Sequence, residues 1–183
     1  MDNKDKLQNL RNLSERQMRQ DLLIPLLGRM KYRAATEYNG AREHGKDIVC
    51  FDDDKLGQRR YLAIVAKISD LTGSVSSNEG LRGVLYQTEQ CFNEPYHDLF
   101  GMNSITMNEV WIVTTGRVVP GAADSVFGML EKTNLAKLTR VIAGGSWSNS
   151  LINIIRHSGR LASRRLNRCG ANATEFTVSV LAC

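Results

Sequence analysis

Long hydrophobic runs are missing from this chain. No stretch approaches the roughly 20 consecutive apolar residues that a membrane-spanning helix needs, so the sequence gives no membrane partner. The opening Met1-Asp2-Asn3-Lys4-Asp5-Lys6 is charged and no apolar stretch follows it, which argues against a secretory signal. The expected compartment is the cytoplasm. Cysteine is sparse and scattered (Cys50, Cys91, Cys169 and Cys183), without a Cys-x-x-Cys pair, and reads as reduced thiols. His44, His97 and His157 have no metal-binding spacing, which leaves zinc without a footing. A Gly-x-Ser-x-Gly elbow and a Walker-type glycine loop are also lacking, so neither serine hydrolysis nor nucleotide hydrolysis is indicated.

What is present is enough for one domain. The chain has 183 residues, 42% of them hydrophobic, an ordinary composition for a globular protein with a substantial core. Its net charge of +5 is unevenly placed. Residues 156–183 carry Arg156, Arg160, Arg164, Arg165 and Arg168 against Glu175 alone, so the remainder is nearly neutral. The overall basicity belongs to the tail and is not evidence of a DNA-binding face on the domain.

Periodicity divides the chain into a lead (1–13), a domain (14–156) and a basic, poorly ordered tail (157–183). Ser14-Glu15-Arg16-Gln17 has the form of a capping box, and Met18, Leu22, Leu26 and Met30 follow at helical spacing. This predicts a helix over 14–30 that kinks or restarts at Pro25. Short strands are expected at 32–36, 47–51 and 60–67, with Asp52-Asp53-Asp54-Lys55-Leu56-Gly57 as a solvated hairpin loop. A helix over 79–93 follows, with Leu81, Val84, Leu85, Thr88, Cys91 and Phe92 on one face. The β-branched run 110–115 predicts a buried strand. Next come a helix presenting Ala122, Val126, Met129 and Leu130, a strand near 138–142 and a helix over 146–155. Strand hairpins followed by alternating helices and strands give an α/β protein, three-layer α/β/α with a central mixed sheet. For the tail two readings stay open: a basic arm that grips phosphates, or a replaced ending with no selected role.

The most informative residues are Glu43-His44-Gly45-Lys46-Asp47-Ile48-Val49 and, some twenty residues on, Tyr61-Leu62-Ala63-Ile64-Val65-Ala66-Lys67. An aspartate at the start of one apolar run and a lysine at the end of the next can meet across a β-hairpin. A carboxylate can hold a hard cation, and an ammonium can steady charge developing at a phosphodiester. The order, together with Phe92-Asn93-Glu94-Pro95-Tyr96 and Val110-Trp111-Ile112-Val113-Thr114-Thr115-Gly116-Arg117, resembles the PD-(D/E)xK nuclease superfamily in its Mrr-type, restriction-endonuclease-like branch. The resemblance covers roughly residues 20–155. It implies a restriction-endonuclease-like fold and a metal-dependent DNA endonuclease, with a role in restriction or defence against foreign DNA.

On that resemblance Asp47 is the metal ligand, Lys67 the catalytic lysine and Gln87 a helix glutamine that helps to position the reaction. Mg²⁺ or Mn²⁺ is the implied cofactor and DNA the implied partner, with a homodimer for double-strand cutting and a separate targeting protein. One departure stands beside the match: the pattern has Glu, Asp or Gln two residues before the lysine, and here that residue is Val65. Glu43 and Asp21 are the candidates to supply the missing carboxylate. Otherwise the chain is a catalytically inactive module of the same fold that binds nucleic acid or a partner.

Overall fold

The computed structural model describes residues 11–38, 44–72, 80–97 and 104–144. The expected helix over 146–155, the tail, most of the lead and Glu43 lie outside the described residues.

The first helix, α1, begins where the sequence says it should. Ser14 Oγ accepts the Gln17 N–H, and Gln17 Oε1 accepts the Ser14 N–H at 2.9 Å, a complete capping box. The helix runs through an α-helical turn (Glu15–Gln17), a π-helical turn (Met18–Leu23) and a second α-helical stretch (Ile24–Arg29). A new α-helical stretch thus opens at the expected place, with Pro25 in its first turn. Proline has no N–H to give back to the preceding turn, and the wider π turn lies directly N-terminal to it.

Five strands form the main sheet: β1 (Arg33–Glu37), β2 (Ile48–Asp53), β3 (Arg59–Lys67), β6 (Glu109–Thr114) and β7 (Thr139–Ile142), in that spatial order. The first three are antiparallel neighbours, whereas β3, β6 and β7 are parallel. Beside them β4 (Tyr96–His97) and β5 (Ser104–Ile105) make a small separate pair. Two further helices, α2 (Leu81–Asn93) and α3 (Pro120–Lys132), provide the crossovers between parallel strands. The sheet is therefore mixed and the protein is α/β.

Alternation along the strands sorts the core. Ile48, Cys50, Leu62, Ile64, Ala66, Trp111 and Val113 face Met18, Leu23, Leu26 and Leu27 of α1. On the opposite side Val49, Ala63, Val65 and Val110 pack with Cys91 and Met107, and Ile112 packs with Leu81, Val84 and Leu85 of α2 and Ala122, Val126 and Leu130 of α3. Met129, expected on the buried face of α3, is instead 43% exposed. The buried positions 122, 126 and 130 step by four, and 129 falls about 60° from the centre of that stripe.

The aspartate-rich loop is a turn, as its polarity predicts. Asp54 accepts the N–H groups of Leu56 (2.8 Å) and Gln58 (2.9 Å), closing the β2–β3 hairpin through its own carboxylate. Asp52 and Asp53 belong to β2 itself, and Asp53 pairs with Arg33. Cys50 and Cys91 are buried free thiols. Among the described residues no helix is long and apolar enough to cross a membrane.

Candidate active site

The antiparallel register of β2 on β3 (Ile48↔Ile64) brings the start of one strand beside the end of the other. Asp47, one residue before β2, donates its N–H to Ile64 O at 2.9 Å, so it continues the ladder. Its carboxylate does so too: Oδ2 accepts the Ala66 N–H at 2.7 Å. Because the N–H and C=O of one strand residue point to the same side, the Ala66 carbonyl also faces β2. Lys67 closes β3 and acts electrostatically on Asp47. The register thus sets the aspartate and the lysine at one edge of the sheet.

Burial sets the electrostatics. The Asp47 side chain is only 16% exposed, and loss of water pushes its carboxyl up to about 6, against an ordinary 3.8. The Ala66 N–H, Lys67 and Arg19 pull the other way without cancelling the desolvation, while Glu15 adds to the rise. Asp47 is an anion held at a cost.

Its nearest counter-ion is a residue that sequence reasoning missed. Arg19, on the π turn of α1, donates from Nε to Glu37 Oε1 at 2.7 Å and from Nη1 to Asp47 Oδ1 at 3.4 Å. Nη1 also lies 3.7 Å from Glu15 Oε2, one helical turn earlier. Glu37, at the end of β1, is held on its other oxygen by Gln20 Nε2 at 2.6 Å. The Glu15–Arg19 spacing of four was a legible sign of a shared face, but the link to Glu37 and Asp47 exists only in the folded chain.

Lys46, the residue before Asp47, is not solvated as a lysine beside a turn ordinarily is. Instead it is 1% exposed, and its Nζ donates to Glu94 O at 2.8 Å and His44 O at 3.4 Å. Burial pulls this ammonium below the ordinary lysine range. Glu94 is the C-terminal cap of α2, where carbonyls carry the negative end of the helix dipole and favour a cation. Next to it, Gly45 has a φ of +78° and lies so close to α2 that an added Cβ would sit 2.2 Å from Gln87 O. The 44–47 turn is thus seated against α2 by a glycine and a buried lysine.

That seating places Gln87 beside the turn that carries Asp47. Its Oε1 is buried and has no hydrogen-bond partner among the described residues. An acceptor of this kind costs free energy unless a donor reaches it. The two candidates for a second acidic ligand fare differently. Asp21 is exposed on the π turn and is not among the groups acting on Asp47; the helix acid that does act is Glu15. Glu43 lies outside the described residues.

Whether the site suits a divalent cation can be judged from its oxygens. Asp47 fits a ligand's place, since among the described residues Oδ1 has only the long Arg19 contact and a cation would offset the cost of the buried charge. Val65 does not fit: it is 0% exposed, inside the apolar cluster with Val49, Ala63, Cys91, Met107 and Val110. Among the described residues no group of three His, Cys, Asp or Glu side chains is placed to hold a metal ion. Comparison with family models, with curated proteins and with solved structures gives no match for this chain.

Proposed function

We propose that the chain is a metal-dependent DNA endonuclease of restriction-endonuclease-like fold, hydrolysing phosphodiester bonds at the sheet edge formed by Asp47 and Lys67. The observation that carries this reading is the β2–β3 register, with Asp47 at the start of one strand, Lys67 at the end of the other and the lysine acting on the aspartate's charge. The orphan acceptor of Gln87 on the adjoining helix supports it. Asp47 would hold Mg²⁺ or Mn²⁺ together with the Ala66 carbonyl and Glu43. The bound cation would polarise the phosphate and make attack by water easier.

The chain's own residues supply the rest. Lys67 stabilises negative charge as the phosphorus is attacked, and Gln87 helps to position the reaction from the adjoining helix. The Ala66 N–H fixes the Asp47 carboxylate so that no reorientation is needed during the reaction. Defence against foreign DNA is the biological setting that this chemistry suits.

Plasmid cleavage by the purified protein tests the reading. With Mg²⁺ or Mn²⁺ the expected result is nicking that EDTA and Asp47→Ala both abolish. Lys67→Ala should lose cleavage while DNA binding is largely kept; an unchanged cutting rate would remove Lys67 from its role.

A second reading rests on a separate observation. Val65 is sealed in the core where a carboxylate would stand. A folded protein that binds DNA without cutting it under any divalent cation would establish a binding module in place of a nuclease.

A further inference from the structure

The turn that carries Asp47 is flanked by two tyrosines that neither reading uses. Tyr38 follows β1, and its N–H donates to Asp47 O at 2.9 Å, just beyond the last β1–β2 ladder pair, Glu37↔Ile48. Tyr96 opens β4, two residues after Glu94, whose carbonyl takes the buried Lys46 ammonium at 2.8 Å. One tyrosine is thus tied to Asp47 and the other to its neighbour in the turn. The two rings meet with centroids 5.4 Å apart and planes at 67°, an edge-to-face pair. Both residues are only partly buried. In such a pair the ring that offers its edge keeps both of its own faces clear of its partner.

A partly exposed aromatic face beside a phosphodiester site suits a nucleobase, since every base has a π-face to stack. The base has to be out of its own stack, because in a duplex its faces are taken up by neighbouring bases. Charge points the same way. Proteins that grip a duplex through its backbone set many basic side chains against the phosphates, whereas outside its tail this chain is nearly neutral. Stacking needs no such basic face.

We propose that Tyr38 and Tyr96 form a stacking platform for an unpaired base, so that the strand presented to the Asp47–Lys67 edge is single-stranded DNA. The inference rests on the nucleic-acid reading above and names the form of its substrate. The main-chain bond to Asp47 and the Lys46–Glu94 contact fix the platform to the turn, so a stacked base sets where its neighbouring phosphate lies. Negative supercoiling opens unpaired stretches of this kind in a plasmid.

The test is binding of the full chain, in EDTA so that nothing is cut, to a labelled oligothymidine and to a duplex of the same length, read by fluorescence anisotropy. The single strand should bind about tenfold more tightly or better. Tyr38→Leu and Tyr96→Leu should each weaken that binding by about tenfold, as loss of one stacked base does. Tyr38→Phe and Tyr96→Phe keep the ring and should stay within about twofold of the parent. Tyr86, 62% exposed on the outer side of α2, supplies the control: Tyr86→Leu should leave binding unchanged. The unaltered protein answers even where a leucine variant fails to fold. A strand carrying 5-iodouracil, irradiated in the complex, should crosslink to Tyr38 or Tyr96, as located by mass spectrometry of the digest. Single-strand binding indifferent to both leucine variants, crosslinks confined to other residues, or a duplex bound as tightly as the single strand each overturn the proposal. Nicking that still needs Asp47 would then leave the nuclease reading standing. Absence of binding to either form, together with absence of cleavage, sinks the proposal and the nucleic-acid reading together.

Discussion

Asp47→Asn should make the fold more stable at neutral pH, and by an amount that depends on pH in a defined way. The carboxyl sits near 6 in the folded chain against an ordinary 3.8, chiefly because it is buried. A proton is therefore bound more tightly in the folded state than in the unfolded one. For such a group the stability contribution is complete below the unfolded value and is lost as pH rises through the folded value, so the loss falls between about pH 4 and pH 6. About two pKa units correspond to roughly 3 kcal/mol at pH 8. Asparagine keeps an acceptor for the Ala66 N–H, and the value near 6 already contains the attraction of Arg19. The net expectation is a stabilisation of about 3 kcal/mol at pH 8 that shrinks towards zero near pH 4. Urea unfolding of both proteins at several pH values measures it, and all other titrating groups cancel in the difference. A difference that is flat with pH would refute the reasoning. A difference of opposite sign, growing towards pH 8, would mean that Arg19 and Lys67 outweigh the loss of water.

Three further outcomes follow from the same geometry. Val65→Glu puts a carboxylate into a sealed apolar cluster and should cost several kcal/mol, about 3 or more, seen as a large drop in the urea midpoint; an unchanged midpoint would show that the cluster opens to water. Lys46→Met keeps the length of the side chain but leaves the Glu94 carbonyl without its charged donor. It should destabilise by about 1–3 kcal/mol, and a fully stable variant would deny that Lys46 seats the turn on α2. Gly45→Ala adds a Cβ 2.2 Å from Gln87 O at a positive φ and should cost more than about 2 kcal/mol, with disturbed amide shifts along α2; a silent substitution would contradict the close approach.

The elements of the fold were largely legible, and for physical reasons. Ser14 and Gln17 announce a helix start because a free backbone N–H needs an acceptor, and β3 announces itself by an apolar run long enough to be buried on both faces. Strand limits moved by a residue or two because hydrogen bonding, which decides them, is not written in hydropathy. Of the site, the Asp47–Lys67 pairing was legible because a hairpin is a local structure. Gln87 was legible only through a resemblance. The Arg19 network was not, since its partners stand 18 and 28 residues along the chain and meet through packing alone. The burial of Lys46 was not legible because lysine beside a turn is ordinarily solvated; two main-chain carbonyls and a helix end are what make its burial tolerable.

The change from antiparallel to parallel pairing at β3 also orders events in time. Asp47 and Lys67 come together through a hairpin, whose contacts close a short loop, whereas β3 meets β6 at residues 47 positions apart (Leu62↔Glu109), which costs more chain entropy. The pair of residues that defines the site is therefore expected to form early, before α2 and its glutamine dock. Mutational φ-values near one at Val49 and Ile64, with values near zero at Ile112 and Val141, are the kinetic signature; the reverse ranking would dismiss it. In that order, the register of a single turn, Asp54 to Gly57, decides whether every later arrival finds the aspartate and the lysine at the same edge.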